Sequence, residues 1–573
     1  MLISAARSCY TILMLRATVL NEISSLLGIP ADSIRLMTPK YSHFGDYSLN
    51  TQSLGISDAS AEDIMTKMQT SSLFEKVETA GAFVNFFVSQ DTLLQHMNAA
   101  LTQADAYGKI TLEKPKRIML EYGTPNTHKL PHIGHLFSYV YGETLSRILE
   151  WAGNEIFREN YQGDVGLHVA KCLYIVAQKR DTIATLHTLE EKIHFLQVCY
   201  QEGSTAYESS PEVKDAITAL NKKIYAKDPE IFDIWETTRG WSVEYYKEFE
   251  ALLGVTVNRH YFESETWDIG MKLVKENVGK VFEESDGAIV FKGEKYGLHT
   301  RVFVTSHDTP TYEAKDMGLA KLKSQEWDFN TAIVTTAREQ NAYWQVVIKA
   351  AELVMPELTG KLQHIGFGFI DLKGGKMSSR TGNILSGVDL VAAVENKVID
   401  TLLSGSENQS ESAQILSIGA IKYAFLRSDS QKNMYFDIEE SVSLNGNSGP
   451  YIQYAYARMK SIVRNSMTPG QSEPSPLASD AVPSLEASEI QLLRLLPRFQ
   501  EVLYDSAETY SPHLICTYLL DLTQAFNVFY ENVSVLKADT AEQKHFRLAL
   551  TQATSIVVKN GLFVLGIETL EKI

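Results

Sequence analysis

The sequence predicts an α/β protein: a parallel-sheet core carrying a largely helical insertion, with a small α/β domain before it and an α-helical bundle after it. Three observations carry this reading. "RIMLEY" and "EIFREN" are short strand-like runs on either side of the amphipathic stretch "HLFSYVYGETLSRILEW", and strand, crossover helix and parallel strand form a βαβ unit of nearly invariant hand. "FNTAIVTTAREQ" and "QHIGFGFIDL" read as further buried strands around the helix "AYWQVVIKAAELV". From Leu385 onward helical periodicity dominates to the end.

In chain order, the first 21 residues carry Arg7 and Arg16 and no acid, a composition shared with mitochondrial presequences. The helical periodicity of "LRATVLNEISSLLGI" favours the first helix of the fold, and Met14 is a candidate start. "DSIRLMTPKYSHFGDYSLN" ends in turn chemistry, and "KVETAGAFVNFFVS" has strand character around Gly81. Lys114-Pro115-Lys116 marks a boundary, so the first domain is placed at 1–112. The core is expected over 113–440, with the insertion at about 168–310 and a helical connector after 385. In its first helix Leu136, Val140, Leu145, Ile148 and Leu149 share one face, with Gly153 as C-cap. "DGAIVFKGEKYGLHTRVFVTS" reads as a hairpin. The C-terminal helical domain is placed at 441–573, and "TPGQSEPSPLASDAVPS" as a surface loop between helices.

Composition narrows the class. No apolar run approaches the roughly 20 residues of a membrane span, so a soluble protein without a membrane partner is expected. Cys9, Cys172, Cys199 and Cys516 are scattered with no CxxC pair, which favours a reducing compartment and supports neither disulfides nor a cysteine metal site. A net charge of −17 argues against a nucleic-acid coat, since phosphate contacts need Lys and Arg. It leaves room for RNA on a local basic face.

"EYGTPNTHKLPHIGHL" holds His128, His132 and His135, and three uses are open: metal, phosphate or ordinary loop. Pro131 and Gly134 interrupt the helical spacing a metal set would need, and no HExxH or cysteine completes one. The two remaining readings are even on these residues alone. Context favours phosphate, because the stretch follows the first strand of the βαβ unit and opens its helix. "DLKGGKMSSRTGN" is a second glycine-rich basic loop after a core strand, where Lys373, Lys376 and Arg380 supply charge and Ser378 and Ser379 hydroxyls.

"HIGH" followed by "KMSSR" resembles the paired signatures of class I aminoacyl-tRNA synthetases. "EYGTPNTHKLPHIGHL", "NYQGDVGLHV", "TPTYEAKD", "NGNSGPYIQYAYARMKSIVR", "FGDYSLN" and "LFVLGIE" narrow the resemblance to the arginyl-tRNA synthetase family, in collinear order over essentially the whole chain. The resemblance implies a Rossmann-type catalytic core, an N-terminal domain contacting tRNA and a C-terminal helical domain binding the anticodon. It implies arginine, ATP with its Mg2+, and tRNA(Arg) as partners, no protein-bound structural metal, a monomer, and the cytoplasm.

Residue by residue, the resemblance implies catalytic roles for His132, His135, Lys129 and Lys376. It assigns ATP contacts to Ile133, Gly134, Met377 and Ser378, and arginine contacts to Glu121, Asn126, Tyr312, Asp316 and Gln340. Tyr454, Tyr456 and Arg458 are candidates for anticodon contact, with helix packing an equal reading. Three positions depart from common patterns: Lys315 stands where the family commonly has Arg, "TTAREQ" lacks a Gly often seen near Gln340, and Ser379 replaces the second lysine of KMSKS, as is usual among arginyl enzymes. Competing readings are a class I synthetase of other specificity and an inactive, synthetase-like RNA-binding protein.

Overall fold

The computed structural model describes residues 14–39, 41–54, 61–373, 386–403, 409–467, 474–478 and 482–573. The N-terminal unit contains α1 (Leu15–Leu27), β1 (Leu36–Met37), β2 (Tyr47–Asn50), α2 (Ala61–Met68), β3 (Phe74–Ala80), β4 (Phe83–Val88) and α3 (Gln90–Gln103). Its strands form an antiparallel sheet in the order β1-β2-β4-β3. Leu15, Val19 and Ile23 recur every four residues along α1 and are buried, as helical spacing requires.

The core opens with β5 (Arg117–Glu121), α4 (Ile133–Trp151) and β6 (Glu155–Gln162), the expected βαβ unit with its strands parallel. All five apolar residues assigned to the buried face of α4 are buried. So is almost every other position, because the sheet covers one side while helices of the C-terminal domain cover the other. Helices α5 (Leu167–Gln178), α6 (Leu189–Ser209), α7 (Pro211–Tyr225) and α8 (Pro229–Leu252) follow and enclose a core of their own, including Val169, Leu196, Ile217 and Trp235.

Within the stretch read as insertion, the structure returns to the core sooner. β7 (Arg259–Phe262) pairs in parallel with β6 as the sheet's edge strand. Its four residues are too short for periodicity to register, but Tyr261 is fully buried against Tyr161 and Leu319. After α9 (Glu263–Glu276), the expected hairpin is a three-stranded antiparallel sheet of β8 (Glu283–Ser285), β9 (Ala288–Phe291) and β10 (Arg301–Val304). Then come α10 (Tyr312–Glu326), β11 (Thr331–Ala337), α11 (Asn341–Val354) and β12 (Leu362–Phe367). The completed parallel sheet runs β12-β11-β5-β6-β7.

β13 (Ile370–Leu372) leaves that sheet and pairs with β14 (Met434–Phe436), a strand inside the region read as helical. Around it lie α12 (Gly387–Leu402), α13 (Gln409–Leu426), α14 (Ile438–Ser441), α15 (Gly449–Ser466), α16 (Ala487–Leu495), α17 (Arg498–Thr509), α18 (His513–Asn532) and α19 (Ala541–Val564). The described part of the Pro/Ser-rich loop is anchored: Asn98 exchanges hydrogen bonds of 2.7 and 2.9 Å with the backbone of Leu477.

Candidate active site

The strand order dictates where a ligand fits. From β5 the chain builds outward through β6 and β7, then returns to add β11 and β12 on the other side. The crevice beyond the carboxyl ends of β5 and β11 is therefore the switch point where open α/β sheets bind ligands. A cavity of about 460 Å³ lies there, walled by Gly123 and Asn126 after β5, Ala337 and Gln340 after β11, His132, Gly134 and His135 at the start of α4, and Phe367–Ile370.

His132 caps α4. Its Nδ1 accepts from the Gly134 N–H at 3.1 Å, and the His132 N–H donates to His135 Nδ1 at 3.2 Å. The two rings lie 4.0 Å apart, centroid to centroid. An imidazole nitrogen that accepts a hydrogen bond carries no proton, so each neutral ring keeps its hydrogen on Nε2. Both pKa values are lowered first by loss of solvent, and then by repulsion from Lys129 at His132, and from His132 and Lys129 in that order at His135. The pair is thus neutral near pH 7, with two Nε2–H donors at a helix N-terminus, an arrangement suited to phosphate oxygens. A Cβ at Gly134 would lie 2.9 Å from the His132 ring, so the fold-back of that ring requires glycine. His128 is different: it is fully buried, and its nitrogens each meet a threonine hydroxyl at 2.9 Å, Thr127 and Thr238. It braces the loop.

The residues assigned to arginine are divided. Asn126 and Gln340 line the large cavity. Glu121 and Asp316 line a narrower one with Lys323 and Trp344, while Tyr312 is 55% exposed at the start of α10. The Asp316 carboxyl accepts a hydrogen bond from the Tyr343 hydroxyl. Burial raises its pKa well above the carboxylate range; the Tyr343 bond opposes this, and Glu121 and Glu263 reinforce it. Lys315 pairs with Glu263 at 2.6 Å and Lys321 with Glu357 at 3.3 Å, so neither neutralises Asp316 directly. Glu121 is 3.2 Å from Lys323, which also holds Glu159 at 2.8 Å. Burial pushes Glu159 up to about 7 against the pull of Lys323.

Lys129 is held between Tyr246 and Tyr200. Its carbonyl accepts from the Tyr246 hydroxyl at 2.7 Å, and its ammonium lies 4.6 Å from the centre of the Tyr200 ring. Lys376, Met377 and Ser378 fall outside the described residues. Lys373, just before them, is spent on a 2.8 Å surface pair with Asp437. Beyond that segment Ser386 bridges to His132 and the Gly387 N–H donates to the Pro131 carbonyl at 2.7 Å, so the second signature's flank meets the first. Among the tRNA candidates, Tyr456 is 3% exposed and belongs to helix packing. Tyr454 and Arg458 face solvent, Arg458 lying 4.5 Å over the Tyr530 ring. Among the described residues no group of three or more His, Cys, Asp or Glu is arranged to hold a metal, and no helix is long and apolar enough to cross a membrane.

Comparison with known proteins adds independent findings. Residues 96–438 match the model of tRNA synthetases class I (R), catalytic domain, residues 452–573 the DALR anticodon binding domain, and residues 14–88 the arginyl tRNA synthetase N terminal domain. The chain belongs to the arginyl-tRNA synthetase family. An arginine–tRNA ligase of Bdellovibrio bacteriovorus is 33% identical over 510 residues, covering 86% of each chain. One of Clostridium perfringens is 30% identical over 505 residues, covering 87% of this chain and 88% of its own. The arginyl-tRNA synthetase structure of Thermus thermophilus superposes with a TM-score of 0.79 at 21% identity, over 98% of this chain and 100% of that one. At that identity the likeness concerns the fold.

Sequence reasoning in terms of the family missed Tyr343 and Lys323. Lys323 had a signal: it lies seven residues after Asp316 on α10, two turns along the same face. Tyr343 had a weaker one, since "NAYWQVV" reads as ordinary helix packing until the partner strand and α10 are in place.

Proposed function

We propose that the chain is an arginine–tRNA ligase: it activates arginine with ATP to arginyl-adenylate and transfers the arginyl group to the 3′ end of tRNA(Arg). The observation that carries this reading is the neutral His132–His135 pair lining the same switch-point cavity as Asn126 and Gln340, in a member of this family. In the first step an arginine carboxylate oxygen attacks the α-phosphorus of ATP, and the bond to the leaving pyrophosphate breaks. The Nε2–H groups of His132 and His135 donate to oxygens that gain charge as that bond lengthens, Lys129, whose charge acts on both histidines, adds positive charge, and Ile133 and Gly134 admit the nucleotide. In the second step a terminal ribose hydroxyl attacks the arginyl carbonyl and AMP departs. Little covalent chemistry is asked of the protein; positioning and electrostatics carry the acceleration.

Arginine is selected by carboxylates, because a guanidinium presents a planar fork they can meet. Asp316, held by Tyr343, is the principal one, with Glu121, Asn126, Tyr312 and Gln340 completing the set. Lys376, Met377 and Ser378 are assigned to the phosphates by family resemblance, and Mg2+ enters with ATP as part of the substrate. The N-terminal domain (1–112) is assigned to the body of the tRNA and the C-terminal domain (441–573) to the anticodon, with Tyr454 and Arg458 as exposed contacts. We assign a monomer acting in the cytoplasm. ATP–pyrophosphate exchange with each amino acid, with and without tRNA, tests the reading: exchange dependent on arginine supports it, and exchange with another amino acid or with none overturns it.

A further inference from the structure

Two acids in the central sheet face the same helix. Glu121 on β5 and Glu159 on β6 are partners in the parallel register, so both side chains leave the sheet on one side. The Lys323 ammonium on α10 meets them there, at 2.8 Å from Glu159 and 3.2 Å from Glu121. The two carboxyls are also within hydrogen-bonding reach of each other. All three side chains are buried, Glu159 completely. Lys323 follows Asp316 by seven residues on α10, about 10 Å along one face, and Lys323, Asp316 and Glu121 line the same narrow cavity. The Glu121 backbone is fixed as well: Thr335, which lines the larger cavity, donates its hydroxyl hydrogen to the Glu121 carbonyl at 3.0 Å.

Such a cluster is a poor device for stability. Burying ions costs solvation that their mutual attraction often fails to offset. Here two carboxylates share one ammonium, and among the described residues Glu159 Oε2 has no hydrogen-bond partner. Lys323 nevertheless keeps its proton: burial opposes the charge, and Glu159 and Glu121 together more than restore it. A fixed cation between the acids does two things for Glu121. It removes the rotamer freedom of a long side chain, and it favours the ionised carboxylate against the like charge of Glu159. We propose that Lys323 is a positioning residue for arginine: anchored on Glu159, it aims the Glu121 carboxylate at the substrate's guanidinium and holds it charged. Glu159 is the anchor and touches no substrate. Without the ammonium the two acids would share a proton, and the guanidinium would meet a weaker acceptor.

This inference rests on arginine being the substrate that Glu121 contacts, and the experiment separates the two. The full chain is assayed by ATP–pyrophosphate exchange with tRNA(Arg) present, giving KM for arginine and for ATP, and thermal midpoints report folding. Lys323→Met keeps the apolar stem and removes the ammonium. Its arginine KM should rise about tenfold or more, the scale of one charge-assisted hydrogen bond, with the ATP KM within about twofold of the parent. In Lys323→Met/Glu159→Gln the new amide donates to Glu121, which is then the pair's one carboxylate and stays ionised. The arginine KM of this double variant should be at least about threefold below that of Lys323→Met, a rescue that a structural role would not give. Parallel rises in both KM values, an unchanged arginine KM in Lys323→Met, or a double variant no better than the single one would overturn the assignment. If Lys323→Met alone does not fold, the double variant decides by the same split between the two KM values. If neither folds, the cluster is structural and the assignment falls. A parent enzyme that shows no exchange with arginine would instead overturn the function beneath it.

Discussion

Tyr343 on α11 donates its hydroxyl hydrogen to Asp316 on α10, joining two helices that flank the same strand, β11. The bond fixes the carboxyl's direction, while burial and the neighbouring Glu121 and Glu263 hold its pKa high when no ligand is bound. An arriving guanidinium reverses that balance and favours the carboxylate.

Asp316→Asn keeps the shape and removes the charge. A hydrogen bond to a charged group contributes about 1.5–3 kcal/mol, so the arginine KM should rise at least tenfold with the ATP KM nearly unchanged. Tyr343→Phe should raise the arginine KM by less. In the parent, arginine binding should release a proton, and affinity should strengthen as pH rises towards the raised Asp316 pKa and level off above it. Calorimetry in buffers of different ionisation enthalpy measures the proton. Parallel rises in both KM values, with no proton released, would mark Asp316 as structural.

His128 gives a stability prediction. Burial, aided by Arg239, lowers its pKa to about 3, below the roughly 6.5 of an unfolded histidine. Between those values the unfolded chain binds a proton that the folded one refuses. Its contribution is therefore fully present above pH 6.5 and is lost as pH falls, at about 1.4 kcal/mol per unit. His128→Gln should flatten the pH dependence of the urea midpoint between pH 4 and 6 by about that slope. An unchanged slope would place the proton elsewhere.

Much of this was legible in the sequence because local patterns were strong. The βαβ unit announced itself through Leu136, Val140, Leu145, Ile148 and Leu149, and the loop holding His132 and His135 sits where a strand ends and a helix begins. What was not legible depends on long-range partners. The burial of α4 on its outer side comes from helices hundreds of residues away, and β7 is recognisable only once β6 lies beside it. Tyr456 lost its candidacy as an RNA contact through packing that its own helix does not reveal. The separation of Asn126 and Gln340 from Glu121 and Asp316 depends on where α10 and α11 rest on the sheet.

A second stability prediction concerns the joint between the N- and C-terminal domains. Glu501 on α17 is nearly buried; it accepts from the Arg16 backbone N–H at 3.0 Å and from the Tyr47 hydroxyl, and pairs with Arg498 at 3.0 Å. Arg16 also grips Asp505 through two bonds of 2.9 and 2.7 Å. Deleting residues 1–112 would strip Glu501 of Arg16 and Tyr47, so lost tRNA binding in that truncation would be confounded with unfolding. Point changes are cleaner. Glu501→Leu leaves the half-buried Arg498 without its carboxylate and removes the acceptor of the Arg16 N–H and the Tyr47 hydroxyl, and should destabilise by about 1–3 kcal/mol. Asp505→Ala, at a side chain 44% exposed, should lie within about 0–1 kcal/mol. Similar denaturation midpoints for the two variants would show that the cluster contributes little.

The last prediction concerns Lys129. Ser379 leaves the KMSSR loop one cation short of the common class I pattern, and Lys129 stands three residues before His132. The structure gives it a fixed place: Tyr246 holds its backbone, the Tyr200 ring supports its ammonium, and its charge reaches both histidines. If that charge meets a phosphate in the transition state, Lys129→Ala should lower kcat roughly 10²–10³-fold, the scale for losing one preorganised charge stabiliser. The arginine KM should hardly move, since an ammonium repels a guanidinium. Adding Ser379→Lys in that background should recover part of the rate by returning a cation to the KMSSR loop. A Lys129→Ala enzyme within twofold of the parent would sink the assignment and leave Lys129 as a brace between the loop and α6.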